Sequence, residues 1–154
     1  MRNDWVKKIV KHKSKQLDES FEGERHGEDR HQYFLEKVPP LWTGIQDSVR
    51  QALEVYNEAL PGEHRVAFEV HRDDLCVAEK RHPPSGHLRI ALNRDAERII
   101  CSYEYVDERG NPAYDFRAFN VNQTRWGLFL ELNGRKVKEK EVVQEILADF
   151  LTRI

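Results

Sequence analysis

A chain of 154 residues, 39% hydrophobic and 34% charged, suits one folding domain able to bury about 68–70% of its unfolded surface; two cores would leave each half marginal. A formal net charge of −2 gives no global electrostatic case for nucleic acid. No run approaches the roughly 18 apolar residues of a spanning helix, and the basic start leads into more charge rather than into the apolar segment of a secretory signal, so a soluble cytoplasmic protein is expected.

Charge is uneven along the chain. Residues 1–17 carry Arg2, Lys7, Lys8, Lys11, Lys13 and Lys15 against Asp4, and residues 18–31 carry six acids against Arg25 and Arg30. Drawn as a helix, residues 4–17 place Trp5, Val6, Ile9, Val10 and Leu17 within an arc of roughly 140°, interrupted by Lys13 and Gln16. Two glycines and few apolar side chains make 18–31 read as an acidic linker. Residues 1–31 are therefore expected to be a basic amphipathic helix and a linker, ahead of a single α+β domain over 32–154.

After Pro39-Pro40, which suit the opening of a helix because their missing N–H groups are not needed there, Trp42, Ile45, Val49, Ala52, Leu53, Tyr56, Ala59 and Leu60 share an arc of about 120°. Asp47, Arg50, Gln51, Glu54 and Glu58 lie on the other side, and Pro61-Gly62 ends the element. The spacing predicts a helix over 41–60 with one buried stripe, and Tyr33, Phe34, Leu35 and Val38 suggest a short helical turn before it.

From His64 the apolar period changes to two. Val66, Phe68 and Val70 form one alternating run; Leu75 and Val77, then Leu88, Ile90 and Leu92, form the next two. Ile99 to Tyr105, Tyr114 to Ala118, and Trp126 to Leu132 follow. The connections are too short for crossover helices, so these five or six strands make an antiparallel meander. Asn133-Gly134 is read as the end of the sheet. A last helix follows, with Glu139 and Glu141 in its first turn, Arg153 in its last, and a stripe from Val142 to Ile154. The fold expected is α+β, with the long N-terminal-half helix and the C-terminal helix packed on one face of the sheet.

If both helices cover the Val66, Phe68, Ile90, Tyr103, Phe116 and Leu130 face, the opposite face carries Glu69, His71, Arg89, Ser102, Glu104, Asp115, Arg117 and Glu131. Ile100, Phe119 and Phe129 stand among those charges. A solvated face laced with cross-strand ion pairs would need no further explanation. Two phenylalanines and an isoleucine together suggest instead the centre of an interface, with Arg89 and Arg117 at its rim.

Chemical signatures are weaker. Cys76 and Cys101 have no metal or redox spacing, and their strand phases place them on opposite faces as two reduced, small apolar residues. His82 and His87 flank Pro83-Pro84-Ser85-Gly86, and His26 and His31 share their spacing, but neither pair has a third ligand set by spacing. No metal or other cofactor is expected; Glu79, His82 and His87 are the trio to follow. Ser85 lacks a nucleophile-elbow pattern, and Asp73-Asp74 and Asp107-Glu108 belong to turns. Arg125–Leu132 combines arginine, glycine and aromatics but lacks the aromatic order of an RNA-binding strand, and reads as core. The sequence points to a non-catalytic binding or assembly module using its open sheet face, with a second copy or another protein as partner. The alternative is a small enzyme or metal-dependent protein using the His82–His87 loop. Residues 1–17 are the one segment suited to weak contact with an anionic surface.

Overall fold

The computed structural model describes residues 4–25 and 27–154. They form α1 (Asp4–Arg25), α2 (Gly27–Ala59), β1 (Ala67–Arg72), β2 (Leu75–Lys80), β3 (Ser85–Asn93), β4 (Arg98–Val106), β5 (Pro112–Thr124), β6 (Gly127–Leu132), β7 (Arg135–Val137) and α3 (Glu139–Arg153). Two compact units are present, Met1–Glu36 and Lys37–Ile154. The fold is α+β with an antiparallel sheet, as the sequence predicts. The helical boundaries differ from expectation. Helix replaces the linker expected over the described residues of 18–31, and Pro39 and Pro40 lie inside α2 rather than at its start. Apolar residues at 34, 38, 42, 45, 49 and 53 keep helical spacing across the prolines. Val38, Trp42, Ile45, Val49 and Leu53 are buried, and their burial outweighs a proline cost of about 3 kcal/mol. The boundary between the units falls just before the two prolines, whose missing amides deprive the carbonyls of Leu35 and Glu36 of helical partners.

In the second unit all seven strands pair antiparallel with their sequence neighbours, in the order β1-β2-β3-β4-β5-β6-β7. The strand missing from the sequence reading is β7. Asn133 and Gly134, both at positive φ (53° and 77°), make a two-residue hairpin turn that returns the chain onto β6, pairing Leu132 with Arg135. What reads as the end of the sheet is its last turn. Trp126, placed in a strand by its spacing, lies instead in the turn between β5 and β6 and is 88% exposed.

One face of the sheet is dry. Cys76, Ile90 and Cys101 lie opposite one another on β2, β3 and β4, as do Ala78, Leu88 and Tyr103, and all six are buried. Helix α2 reaches this face through Arg50, whose guanidinium lies 5.3 Å from the Phe68 ring centroid, and through the Gln46 side chain beside Cys76. It is also tied to the β1–β2 turn, where Trp42 Nε1 donates to the Asp73 carbonyl at 2.6 Å. Helix α3 docks on the same face. Tyr103 Oη donates to the Ile146 carbonyl at 2.6 Å, and Phe150 packs with its ring centroid 6.3 Å from Tyr103 and 6.0 Å from Tyr105.

The far end of α3 is held by a buried cation. Lys80 is 2% exposed, and its Nζ donates to the carbonyls of Pro84 at 2.8 Å and Ile154 at 3.1 Å. Carbonyls at the end of a helix favour such a cation. Gly86, opposite Lys80, permits this approach, because a Cβ there would stand 2.6 Å from Ile154 Cγ2 and 2.8 Å from Phe150 Cε1.

The phase of β5 is opposite to the one expected. Phe119 pairs with Ile99 and is fully buried, whereas Phe116 pairs with the exposed Ser102 and is itself 58% exposed. Successive strand residues face opposite sides, so a one-residue error of phase exchanges the whole strand. Truncation separates the two phenylalanines. Phe119→Ala should cost about 3–5 kcal/mol as a core cavity, and Phe116→Ala, at a dilution that keeps the chain monomeric, should stay within about 0.5 kcal/mol of the parent. Urea unfolding followed by circular dichroism measures both, and equal losses would contradict this register.

Candidate functional site

The face of the sheet turned away from α2 and α3 is defined by its cross-strand rows. Val77, Arg89, Ser102 and Phe116 make one row across β2 to β5; Glu79, His87, Glu104 and Tyr114 make the next. On the other side lie Leu75, Ala91, Ile100 and Ala118. Phe116 therefore has Tyr114 two residues along its own strand and Ile100 diagonally across, at Cα separations of about 7–8 Å. The centre of this face is an apolar strip formed by Tyr114, Phe116, Ile100 and the two alanines. Tyr114 is 72% exposed. Charges of both signs flank the strip, with Arg89, His87 and His71 set against Glu69, Glu79 and Glu104.

Of the five residues expected on this face, Ile100 and Arg89 are on it and adjacent in register. Phe129 shares the face but stands apart. It pairs with Asn122, four residues along β5 and one strand beyond the Ile100 partner Ala118, about 17 Å from Ile100 by strand geometry. Its ring is covered by Lys136, whose Nζ lies 5.2 Å from the centroid. Phe119 and Arg117 belong to the opposite face. Phe119 is core, and Arg117, opposite Cys101, donates to the Glu145 carbonyl and the Asp149 carboxylate of α3. Asp115 moves with them, lying opposite Tyr103. The sequence gives β5 two apolar sets, Tyr114, Phe116 and Ala118 on one face and Phe119 and Val121 on the other. Only the helices show which set is buried. Arg117 tolerates the covered face because its guanidinium meets a carbonyl and a carboxylate of α3, and Asp115 because it stays exposed to water.

The edge of β5 adds a second feature. Residues 120–124 pair with β6, but residues 112–119 have only β4 as a strand partner. The Phe116 N–H is taken by the neighbouring Asp115 Oδ1 at 2.8 Å, a local bond that blunts an open edge.

The histidine trio is divided. His87 lies opposite Glu79 and Glu104 on the open face, whereas His82 Nε2 meets Glu63 at 3.1 Å. Among the described residues no three His, Cys, Asp or Glu side chains are grouped to hold a metal ion, and His26 lies outside them. Grooves are small. One of about 200 Å³ lies between α2 and β1, by Arg50, Asn57 and Phe68. Another of about 260 Å³ lies by Ser85, Tyr105, Asn111 and Arg153. Both fall below the roughly 300–1,000 Å³ of ordinary small-molecule sites. No helix of the described residues is long and apolar enough to cross a membrane.

The two thiols are not on opposite faces, as their spacing suggests. Cys76 and Cys101 both point into the core with Ile90 between them. Two interstrand spacings, about 10 Å, put them beyond disulfide reach, and both are free. Burial pushes the Cys76 thiol up to about 11, partly offset by Gln46 and Arg50. Burial, with Cys76 nearby, pushes Cys101 up to about 12. Burial likewise raises the Tyr103 phenol, so it remains a donor to α3.

Comparison of the chain with protein-family models, curated proteins and solved structures found no match.

The thiols predict an alkaline weakening of the fold. In the unfolded chain they ionise near their usual value of 9.0, and in the fold only near 11 and 12. Above the first value the unfolded state holds fewer protons. The stabilisation is therefore complete below it and declines as pH rises toward the folded values, by about 1.4 kcal/mol per pH unit per thiol. Urea midpoints between about pH 8 and 10 should fall more steeply for the parent than for Cys76→Ala/Cys101→Ala, whatever their absolute stabilities. Parallel slopes would refute this origin.

Proposed function

We propose that this protein is a non-catalytic binding or assembly module that uses the open face of its sheet, with a second copy of itself as the partner. The exposure of Phe116 and Tyr114 beside Ile100 carries the reading. Two neighbouring aromatics on one strand, with Arg89 close by, are the residue types that anchor protein interfaces. Isolated exposed apolar residues need no explanation, whereas a contiguous strip rimmed by charge does.

Self-association suits the dimensions and charges of the face. Strands β3 and β4 are nine residues long. With β2 and β5 they offer about 19 Å by 30 Å, roughly 600 Å² in projection, approaching the ~800 Å² per partner of a stable complex once side-chain relief is added. Glu69, Glu79 and Glu104 share the face with Arg89, His71 and His87, so a two-fold axis through the strip can set acid against base in both directions. The module works in a reducing, cytoplasmic setting, a reading that rests on the two unpaired buried thiols. The anionic-surface contact assigned to residues 1–17 is a separate matter, independent of this interface.

The decisive variant is Phe116→Asp, which should leave the circular dichroism spectrum unchanged and convert a dimer to a monomer in sedimentation equilibrium. Phe129→Asp should have less effect, because Phe129 lies outside the strip. Phe119→Asp should unfold the domain rather than dissociate it. A parent protein that sediments as a monomer at about 100 μM, well above the range of ordinary stable interfaces, would refute the second-copy reading.

A further inference from the structure

Helix α1 runs from Asp4 to Arg25, and residues 4–13 are exposed throughout. Its apolar side chains are not scattered over that surface. Trp5 and Ile9 form one i,i+4 row, and Val6 and Val10 form the adjacent row. All four are exposed, by 63%, 45%, 37% and 55% respectively. Lys7, Lys11 and Lys15 form a third row with Lys8 beside it. At 100° per residue these four lysines span about 100° centred opposite the apolar rows. Lys13 lies between the rows, where its alkyl stem can extend along the apolar surface while its ammonium reaches outward. Asp4 is the sole acid among residues 4–17.

We propose that the basic first half of α1, from Asp4 to Lys15, is an interfacial segment that lies in the headgroup region of an anionic membrane, with Trp5, Val6, Ile9 and Val10 turned toward the acyl chains and Lys7, Lys8, Lys11 and Lys15 toward anionic headgroups. A basic helix with an exposed tryptophan and branched aliphatic residues on its other face is the pattern of helices that lie along a bilayer rather than span it. Each lysine near an anionic surface contributes about fivefold to binding. The acidic residues that follow do not cancel this attraction. At 1.5 Å per residue Asp18, the first of them, lies about 10 Å beyond Lys11 along the axis, past the Debye length of about 8 Å at physiological ionic strength. Nucleic acid would use the lysine rows but would leave the apolar rows without a role. A lipid surface uses both. This inference does not depend on the sheet-face interface.

The test is co-sedimentation of the full chain with phosphatidylcholine vesicles, with vesicles containing about 30% phosphatidylserine, and, in parallel, binding to a short DNA duplex. The parent should bind the anionic vesicles at least about tenfold more tightly than the neutral ones, and lose most of that binding when salt is raised from about 0.15 to 0.5 M. Lys7→Gln should weaken vesicle binding about fivefold, and Ile9→Asp should weaken it by more than about tenfold because a charge replaces a membrane-facing side chain. Both sites are exposed, so thermal melts should match the parent. Equal binding to neutral vesicles, retention of binding by Ile9→Asp, or binding to the duplex without binding to vesicles would each overturn the proposal.

Discussion

Burial on one face of the sheet is the constraint on which the rest of the second unit depends. The meander has two surfaces, and the apolar stripes of α2 and α3 both meet the same one. Cys76, Ile90 and Cys101 and the neighbouring row through Tyr103 are excluded from water by that contact. Three polar groups caught in it are satisfied by α3 or the loop beside it. The Tyr103 hydroxyl donates to Ile146, the Lys80 ammonium to two carbonyls, and the Arg117 guanidinium to α3. A buried donor without such a partner would cost more than the bond itself contributes, so these contacts also fix where α3 can sit.

The same constraint leaves most of the other surface of the sheet wet, Leu75 and Val77 of β2 excepted, and the strip around Phe116 owes its exposure to it. A meander has no crossover helix to cover its second face. An aromatic at position 116 therefore either finds a partner outside the unit or remains in water. The charges around it are evenly mixed, which favours a partner of similar mixed charge over a strongly acidic or basic one. Helix α1 shows a comparable imbalance in the first unit, with apolar rows facing solvent and lysines opposite them. In each unit the proposed contact lies where apolar side chains have been left without protein cover.

Much of the second unit was legible because its signals are local and periodic. The stripe from Trp42 to Leu53, the alternation from Leu88 to Leu92, and the charges at the two ends of α3 each imply one element wherever it lies in the fold. The structure departs from the sequence pattern at features with two local meanings. Pro39-Pro40 can open a helix or be carried inside one, and the deciding factor was the stripe continuing through them. Asn-Gly can end a sheet or turn a hairpin, and the difference lay in whether Arg135–Val137 found a partner in β6. In β5, Phe116 and Phe119 both invite burial, and period-two alternation allows only one of them.

By itself the sequence determined that this chain is α+β, that its strands are joined too closely to be anything but antiparallel, and that α2 and α3 are each one-sided. Those properties follow from spacing, turn residues and connection length, which act over a few residues. Only the tertiary structure decided which face of β5 is dry, that Cys76 and Cys101 share one side of the sheet, and that Arg117 serves α3 instead of an interface. Each of these depends on cross-strand register and on where two distant helices dock, and a strand displaced by one residue has the same local pattern with every side chain on the other face.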